Sequence, residues 1–249
     1  MIAARQIAFG RGAAKGYTAK DYVQDGLVAM WDGIENAGWG KHDANATAWK
    51  DLVGGSEDNL VGNIGTDYEW TADSVVRNKE SKGYFISDKT DVLQTAVRRG
   101  VFSVEIVTSK PVASATWQAQ IVNICQTADL SKYSSGILGR WRREDNGRFG
   151  SLSSAAYHDN VGFTLADRSE LCTISLAYNG SICSVYSNGI IVRTASITPS
   201  DTIDGIHVRL GSISYGFRGH YHSLRILSRA LTAEEIAHNY EIDKARFGI

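Results

Sequence analysis

A chain of 249 residues is long for one average domain and ordinary for a large β-sandwich, and with 43% hydrophobic residues it can bury a sizeable core. Its 25 glycines against 2 prolines, with many Thr, Ser, Asn, Tyr and Val, favour strands joined by glycine turns over long helices. A net charge of −1 excludes a general attraction to nucleic acid or an anionic membrane, and no apolar run reaches the roughly 18 residues needed to cross a bilayer.

The first 20 residues stand apart, with Arg5, Arg11, Lys15 and Lys20, no acid, and Ile2, Ile7 and Phe9 among alanines and glycines. They read either as a loose terminus or as an arm that orders against a partner. The division expected is a basic arm over 1–23 and one domain over 24–249. With no apolar h-region of signal-peptide type near the start, synthesis and folding in the cytoplasm are expected.

From Gly26 the pattern is strand-like. Leu27–Trp31 is a short apolar run, followed by a polar excursion through Trp39, His42, Asp43 and Asn45. Further strands are predicted at Gly83–Ser87, Phe102–Thr108, Ala119–Cys125, Gly136–Arg143 and Arg148–Ser151, with a turn at Asn146-Gly147. Their recurrence without intervening helices points to an antiparallel sandwich.

A meander spans Leu171 to Thr194. Asn179-Gly180 suits a two-residue type I′ turn, which pairs Tyr178 with Ser181, Leu176 with Cys183 and Ile174 with Val185. One face then collects Cys172, Ile174, Leu176, Cys183 and Val185, while Thr173, Ser175 and Ser184 face the other way. A second turn at Asn188-Gly189 sets Val192 opposite Val185, on the same apolar face. The odd set of Cys125, Cys172 and Cys183 reads as buried small hydrophobes.

His207–Ile213 and Phe217–Leu227 alternate as the last strands. Thr232-Ala-Glu-Glu235 then forms a capping box, with Leu231 and Ile236 as its staple, and opens a short helix whose stripe is Ile236, Tyr240 and Phe247.

These segments resemble a known family. Gly26–Asp32 is similar to the opening strand of concanavalin A-like (laminin-G-like) lectin domains, and Leu176–Val192, with Tyr186-Ser-Asn-Gly189, looks like their central meander. The stretch from Leu210-Gly211 through Phe217-Arg-Gly219 to Leu224–Ile236 is similar to their closing strand and helix. The resemblance covers roughly residues 24 to 247. It implies an all-β fold, a two-sheet antiparallel jelly roll with one short C-terminal helix, in a family dominated by glycan- and protein-binding modules. The style of the chain also resembles proteins of gut-bacterial phages and prophages. Where many members carry calcium-binding acids, this chain departs from the pattern with His220-Tyr-His-Ser223, so no cofactor is expected and calcium, possible from the resemblance, is doubtful at that site.

Glycosidases of this fold alternate two Glu and an Asp on one strand, whereas Phe102–Thr108 offers only Glu105. Glu144-Asp145 precedes a turn, and Glu234-Glu235 belongs to the helix cap. His220 and His222 share a strand face at a spacing that suits zinc, but no third ligand stands nearby. No nucleophile elbow and no phosphate loop occurs. Binding has more support, because aromatic faces with polar surroundings receive sugar rings. The candidate ligand-binding residues are Trp39, His42 and Asp43 in the long loop, Trp141, Arg142 and Arg148 beside the 146–147 turn, and His220 and His222.

The expected function is that of a non-catalytic binding or structural protein, a phage virion accessory component of head or tail. Its lectin-like domain would recognise glycan or a protein surface, and residues 1–20 would hold other virion proteins, with homo-oligomers possible. A stand-alone bacterial carbohydrate-binding module is the alternative, and a glycoside hydrolase ranks third.

Overall fold

The computed structural model describes residues 16–54, 59–62, 67–77, 83–87, 100–109, 118–125, 136–142, 146–152, 157–164, 171–196, 207–212 and 217–249. In chain order the first strands are β1 (Leu27–Asp32), β2 (Ala48–Trp49), β3 (Leu60–Val61), β4 (Tyr68–Trp70), β5 (Val75–Arg77), β6 (Gly83–Ser87), β7 (Phe102–Ser109) and β8 (Gln118–Cys125). They continue as β9 (Gly136–Arg142), β10 (Asn146–Leu152), β11 (Tyr157–Thr164), β12 (Leu171–Tyr178), β13 (Ile182–Ser187), β14 (Ile190–Ser196), β15 (His207–Ser212) and β16 (Gly219–Leu227). Helix α1 (Ala233–Phe247) closes the chain, and a 3₁₀ turn at Ala19–Asp21 precedes β1.

The strands form two antiparallel sheets of eight. One runs β14-β13-β12-β7-β16-β5-β4, with β1 sharing an edge of β16 with β5; the other runs β11-β10-β9-β8-β15-β6-β3-β2. Between them lies one core, to which the first sheet contributes Trp31, Ile106, Ile174 and Leu224, and the second Trp49, Phe85, Val122 and Leu210. The fold is the two-sheet sandwich with a C-terminal helix that the strand pattern predicts. Cys172 and Cys183 are buried free thiols, and burial pushes both up to about 12, so they pack as small hydrophobes.

Two turns differ from expectation. In the first hairpin Tyr178 pairs with Cys183, Leu176 with Val185 and Ile174 with Ser187, two residues from the predicted register. The cause is the Asn179 side chain, whose Oδ1 accepts the amides of Ser181 and Ile182 at 3.2 and 2.9 Å, which places Gly180-Ser181 at the tip. A slip of two preserves the faces, so Cys172, Ile174, Leu176, Cys183 and Val185 still reach the core. At the second turn Asn188 (φ 51°) and Gly189 (φ 76°) take the left-handed values of a type I′ turn, but a bulge then aligns Val185 with Arg193 instead of Val192. Asn146-Gly147 is not a turn at all. Both residues lie in β10, with Gly147 in register with Trp141 of β9.

The polar face of the meander is also not a solvent face. Thr173 and Ser175 are buried beneath α1, where Thr173 Oγ1 donates to Asp243 Oδ2 (3.0 Å) and Ser175 Oγ donates to Glu105 Oε1 (2.9 Å). Arg225 sits at the centre, donating to Glu105 Oε2 (3.0 Å) and through both terminal nitrogens to Asp243 (2.7 and 2.8 Å), with Tyr22 stacked 4.0 Å away. The capping box of α1 forms as expected: Thr232 Oγ1 accepts the Glu235 amide and Glu235 Oε2 accepts the Thr232 amide. Its buried stripe is Ile236, Asn239, Ile242, Asp243 and Phe247, with Tyr240 only half-buried, because the helix docks on a charged network as well as on apolar residues. Residues 17–23, placed in the arm by sequence, pack here. Ala19 and Tyr22 join Met30, Leu52 and Ile242 in a second cluster, and Val23 donates its amide to Asn239 Oδ1 (2.9 Å).

Candidate functional site

The sandwich rim beside the end of β1 gathers polar side chains from three distant stretches of chain. Asp32, the last residue of β1, is opposite Ser223, and the next amide, Gly33, donates to the His222 carbonyl at 2.7 Å. Gly33 presses on the turn between β4 and β5, so that a Cβ there would stand 2.3 Å from the Asp73 carbonyl oxygen and 2.7 Å from Ser74 Cα. Only glycine permits this approach, because both obstacles are backbone. Gly33→Ala is therefore expected to push the loop off the turn and lower stability by about 1–3 kcal/mol. An unchanged urea midpoint would refute that contact.

Around this approach stand three of the predicted residues. His42 is exposed, its Nδ1 donating to the Gly33 carbonyl at 3.2 Å. His220 and His222 share the outward face of β16, since Tyr221 between them enters the core, and their rings stack with centroids 5.7 Å apart. His220 Nδ1 is hydrogen-bonded to Ser74 Oγ at 2.9 Å. His222 is covered edge-on by Phe247, the last residue of α1, at 5.3 Å. Burial pushes its pKa down to about 4, against the pull of Asp73, so the ring is neutral at pH 7. Asp73 Oδ2 lies 3.7 Å from His222 Nδ1, too far for a hydrogen bond, and with 41% of its side chain exposed it faces solvent.

Asp73 and Ser74 escaped the sequence reading. Their signal was the Thr71-Ala-Asp-Ser74 turn, in which Thr71 Oγ1 donates to Asp73 Oδ1 (3.0 Å) and accepts the Ser74 amide (3.0 Å), but nothing local ties that turn to β16. The patch thus offers imidazole, hydroxyl and carboxylate groups, suited to hydroxyl-rich ligands. Among the described residues no group of three His, Cys, Asp or Glu is placed to hold a metal ion.

The other candidates lie elsewhere. Trp39 is half-buried against the cluster of Tyr22 and Met30, with Lys20 Nζ 5.5 Å from its ring centroid. Asp43 shapes its own loop: Oδ1 accepts the Asn45 amide at 2.8 Å, and its amide donates to Asn36 Oδ1 at 2.8 Å. Trp141, Arg142 and Arg148 lie on β9 and β10 of the opposite sheet, so the sequence-predicted set divides between two sheets. Their side chains fall outside the described part of the structure.

Two carboxylates with catalytic potential by position are committed to structure. Glu105 is fully buried on Arg225, Asn239 and Ser175. Asp32 Oδ1 accepts the amides of Ile34 and Glu35 (both 3.0 Å) and Arg246 Nη2 (2.7 Å), while burial lifts its pKa to about 6 against Arg246.

No protein-family model matches the chain, and no curated protein matches it in sequence. Solved structures do match its fold. A mutant of Trypanosoma rangeli sialidase displaying trans-sialidase activity aligns with a TM-score of 0.63 at 13% identity, over 88% of this chain and 33% of that one. The same sialidase in complex with sialic acid gives 0.60 at 13% identity over the same shares. The botulinum neurotoxin serotype D binding domain gives 0.63 at 15% identity, over 87% of this chain and 52% of that one. The chain therefore spans about a third to a half of the proteins it resembles. What it shares with them at these identities is the fold, a two-sheet antiparallel β-sandwich.

Proposed function

We propose that this chain is a non-catalytic recognition module, a concanavalin A-like jelly roll that binds carbohydrate at the His42, Asp73, His220 rim. The observation that carries the reading is the convergence of those polar groups on one exposed edge, while Asp32 beside it is held by Arg246. Edge loops on a rigid sandwich are where such folds place function. The use of this sandwich in a toxin's binding domain and in a sialidase crystallised with sialic acid supports carbohydrate as the ligand class. In the same proposal the setting is a phage virion, head or tail, with the basic segment of residues 1–15 contacting other virion proteins.

A glycan array probed with the intact protein tests the first part. We expect a defined set of hits, weakened at least tenfold in His42→Ala or His220→Ala with the melting temperature nearly unchanged. An array without hits ends the carbohydrate reading. For the virion part, light scattering compares the intact chain with one lacking residues 1–15, a cut that spares the packed Ala19 and Tyr22. Assembly of the intact chain alone supports the arm as an assembly device. Two monomers would instead favour a stand-alone bacterial carbohydrate-binding module.

A further inference from the structure

Arg77 ends β5 in register with Tyr68 of β4 and Gly219 of β16, on the same side of the sheet as the core residue Val75. It is 1% exposed. Its guanidinium carbon stands 5.8 Å from the Tyr68 ring centroid, and Nη1 donates to the Phe217 carbonyl at 3.3 Å. Nε and Nη2 are buried without a hydrogen-bond partner, and so is the hydroxyl of Tyr68. By contrast, the neighbouring Tyr221 hydroxyl is satisfied by the Ile121 carbonyl at 3.2 Å.

The two vacant nitrogens are not an arbitrary pair. Nε–H and the adjacent Nη2–H form one edge of the guanidinium, the fork that grips two oxygens of a carboxylate side by side. Arginine keeps its charge inside a protein, and a buried charge without a counter-ion is strongly unfavourable. Two other arginines of this fold show the usual arrangement. Arg225, fully enclosed, and Arg246, with 4% of its side chain exposed, each meet two carboxylates. Among the described residues Arg77 meets none.

We propose that the Nε/Nη2 edge of Arg77, with the Tyr68 hydroxyl as a third donor, is a binding site for a carboxylate anion at the end of the sandwich core. The carboxylate is that of a small free acid or of an acidic sugar. The site is separate from the histidine rim, so the two readings stand or fall independently.

Thermal unfolding of the full chain tests it, in carboxylate-free buffer at constant ionic strength, with added sodium acetate, sodium glucuronate, or sodium chloride as control. Millimolar carboxylate is expected to raise the melting temperature of the wild type by about 2–4 °C above the chloride control. Arg77→Met should abolish the response while remaining folded, because removing an uncompensated charge leaves an apolar side chain of similar length. Arg77→Lys, which keeps the charge without the fork, should need at least tenfold more carboxylate, and Tyr68→Phe should show an intermediate loss. A response to both anions identifies a free carboxylate as sufficient, and a response to glucuronate alone identifies the acidic sugar. No response above chloride, or an equal response in Arg77→Met, would overturn the site.

Discussion

Replacing Arg225 with methionine is expected to lower the stability of the fold by about 3–5 kcal/mol at neutral pH, the largest effect of any single substitution considered. The reason is not the strength of the ion pairs but what their loss strands. Arg225 is completely enclosed, and its removal leaves Glu105 and Asp243 as two carboxylates with no exposure and no cation. Burial already holds the Glu105 carboxyl above its ordinary range, with Arg225 the main influence opposing that shift. Without the arginine it rises further, so the native variant takes up protons at higher pH than its unfolded chain does. The deficit should therefore shrink as pH falls. Adding Glu105→Gln and Asp243→Asn should recover part of the loss, because a neutral amide costs less to bury than an unpaired charge. Urea unfolding at two pH values checks all three statements. A methionine variant within 1 kcal/mol of wild type would mean that α1 does not depend on this network.

His222 should make stability pH-dependent in a way its substitution isolates. The folded ring titrates at about 4, whereas an exposed histidine titrates near 6.5. Between those values the unfolded chain binds a proton that the native state refuses, so stability from this group rises with pH from about 4 to 6.5. Asp32 acts in the opposite sense. Its folded pKa of about 6 lies above that of an exposed aspartate, so its contribution falls as pH rises from about 4 to 6. The two partly cancel in the wild type, and a simple pH scan would understate both. The informative quantity is the stability difference between wild type and His222→Gln. It should move by about 2 kcal/mol in favour of wild type between pH 4.5 and 6.5. A difference that is flat across this range would show that Phe247 and His220 do not exclude water from the ring.

These effects share an origin in α1. The helix covers the outer face of the first sheet with Asn239 and Asp243, and its final residue roofs His222. Phe247→Ala is expected to return His222 towards ordinary titration, which would appear in its ring resonances across pH 4–7. The candidate rim and the stability of the fold are thereby joined at one end of one helix.

What could be read from residues alone was whatever neighbouring residues decide among themselves. Strand positions followed from period-two alternation, the 188–189 turn from an Asn-Gly pair that tolerates positive φ, and the start of α1 from a Thr and a Glu three apart that satisfy each other's amides. The five core-facing residues of the meander survived even a wrong register, because a slip of two does not change which face a side chain occupies. Tertiary structure decided everything that depends on what lies across a face. Periodicity puts Thr173 and Ser175 opposite the core, but only the docking of α1 buries them. Likewise Gly33, Asp73 and His220 are far apart in sequence, and their meeting requires β1, β5 and β16 to share one edge. A repeating pattern records which residues look the same way. It cannot record what they find there, since that depends on contacts closed by loops whose cost and geometry no local spacing encodes.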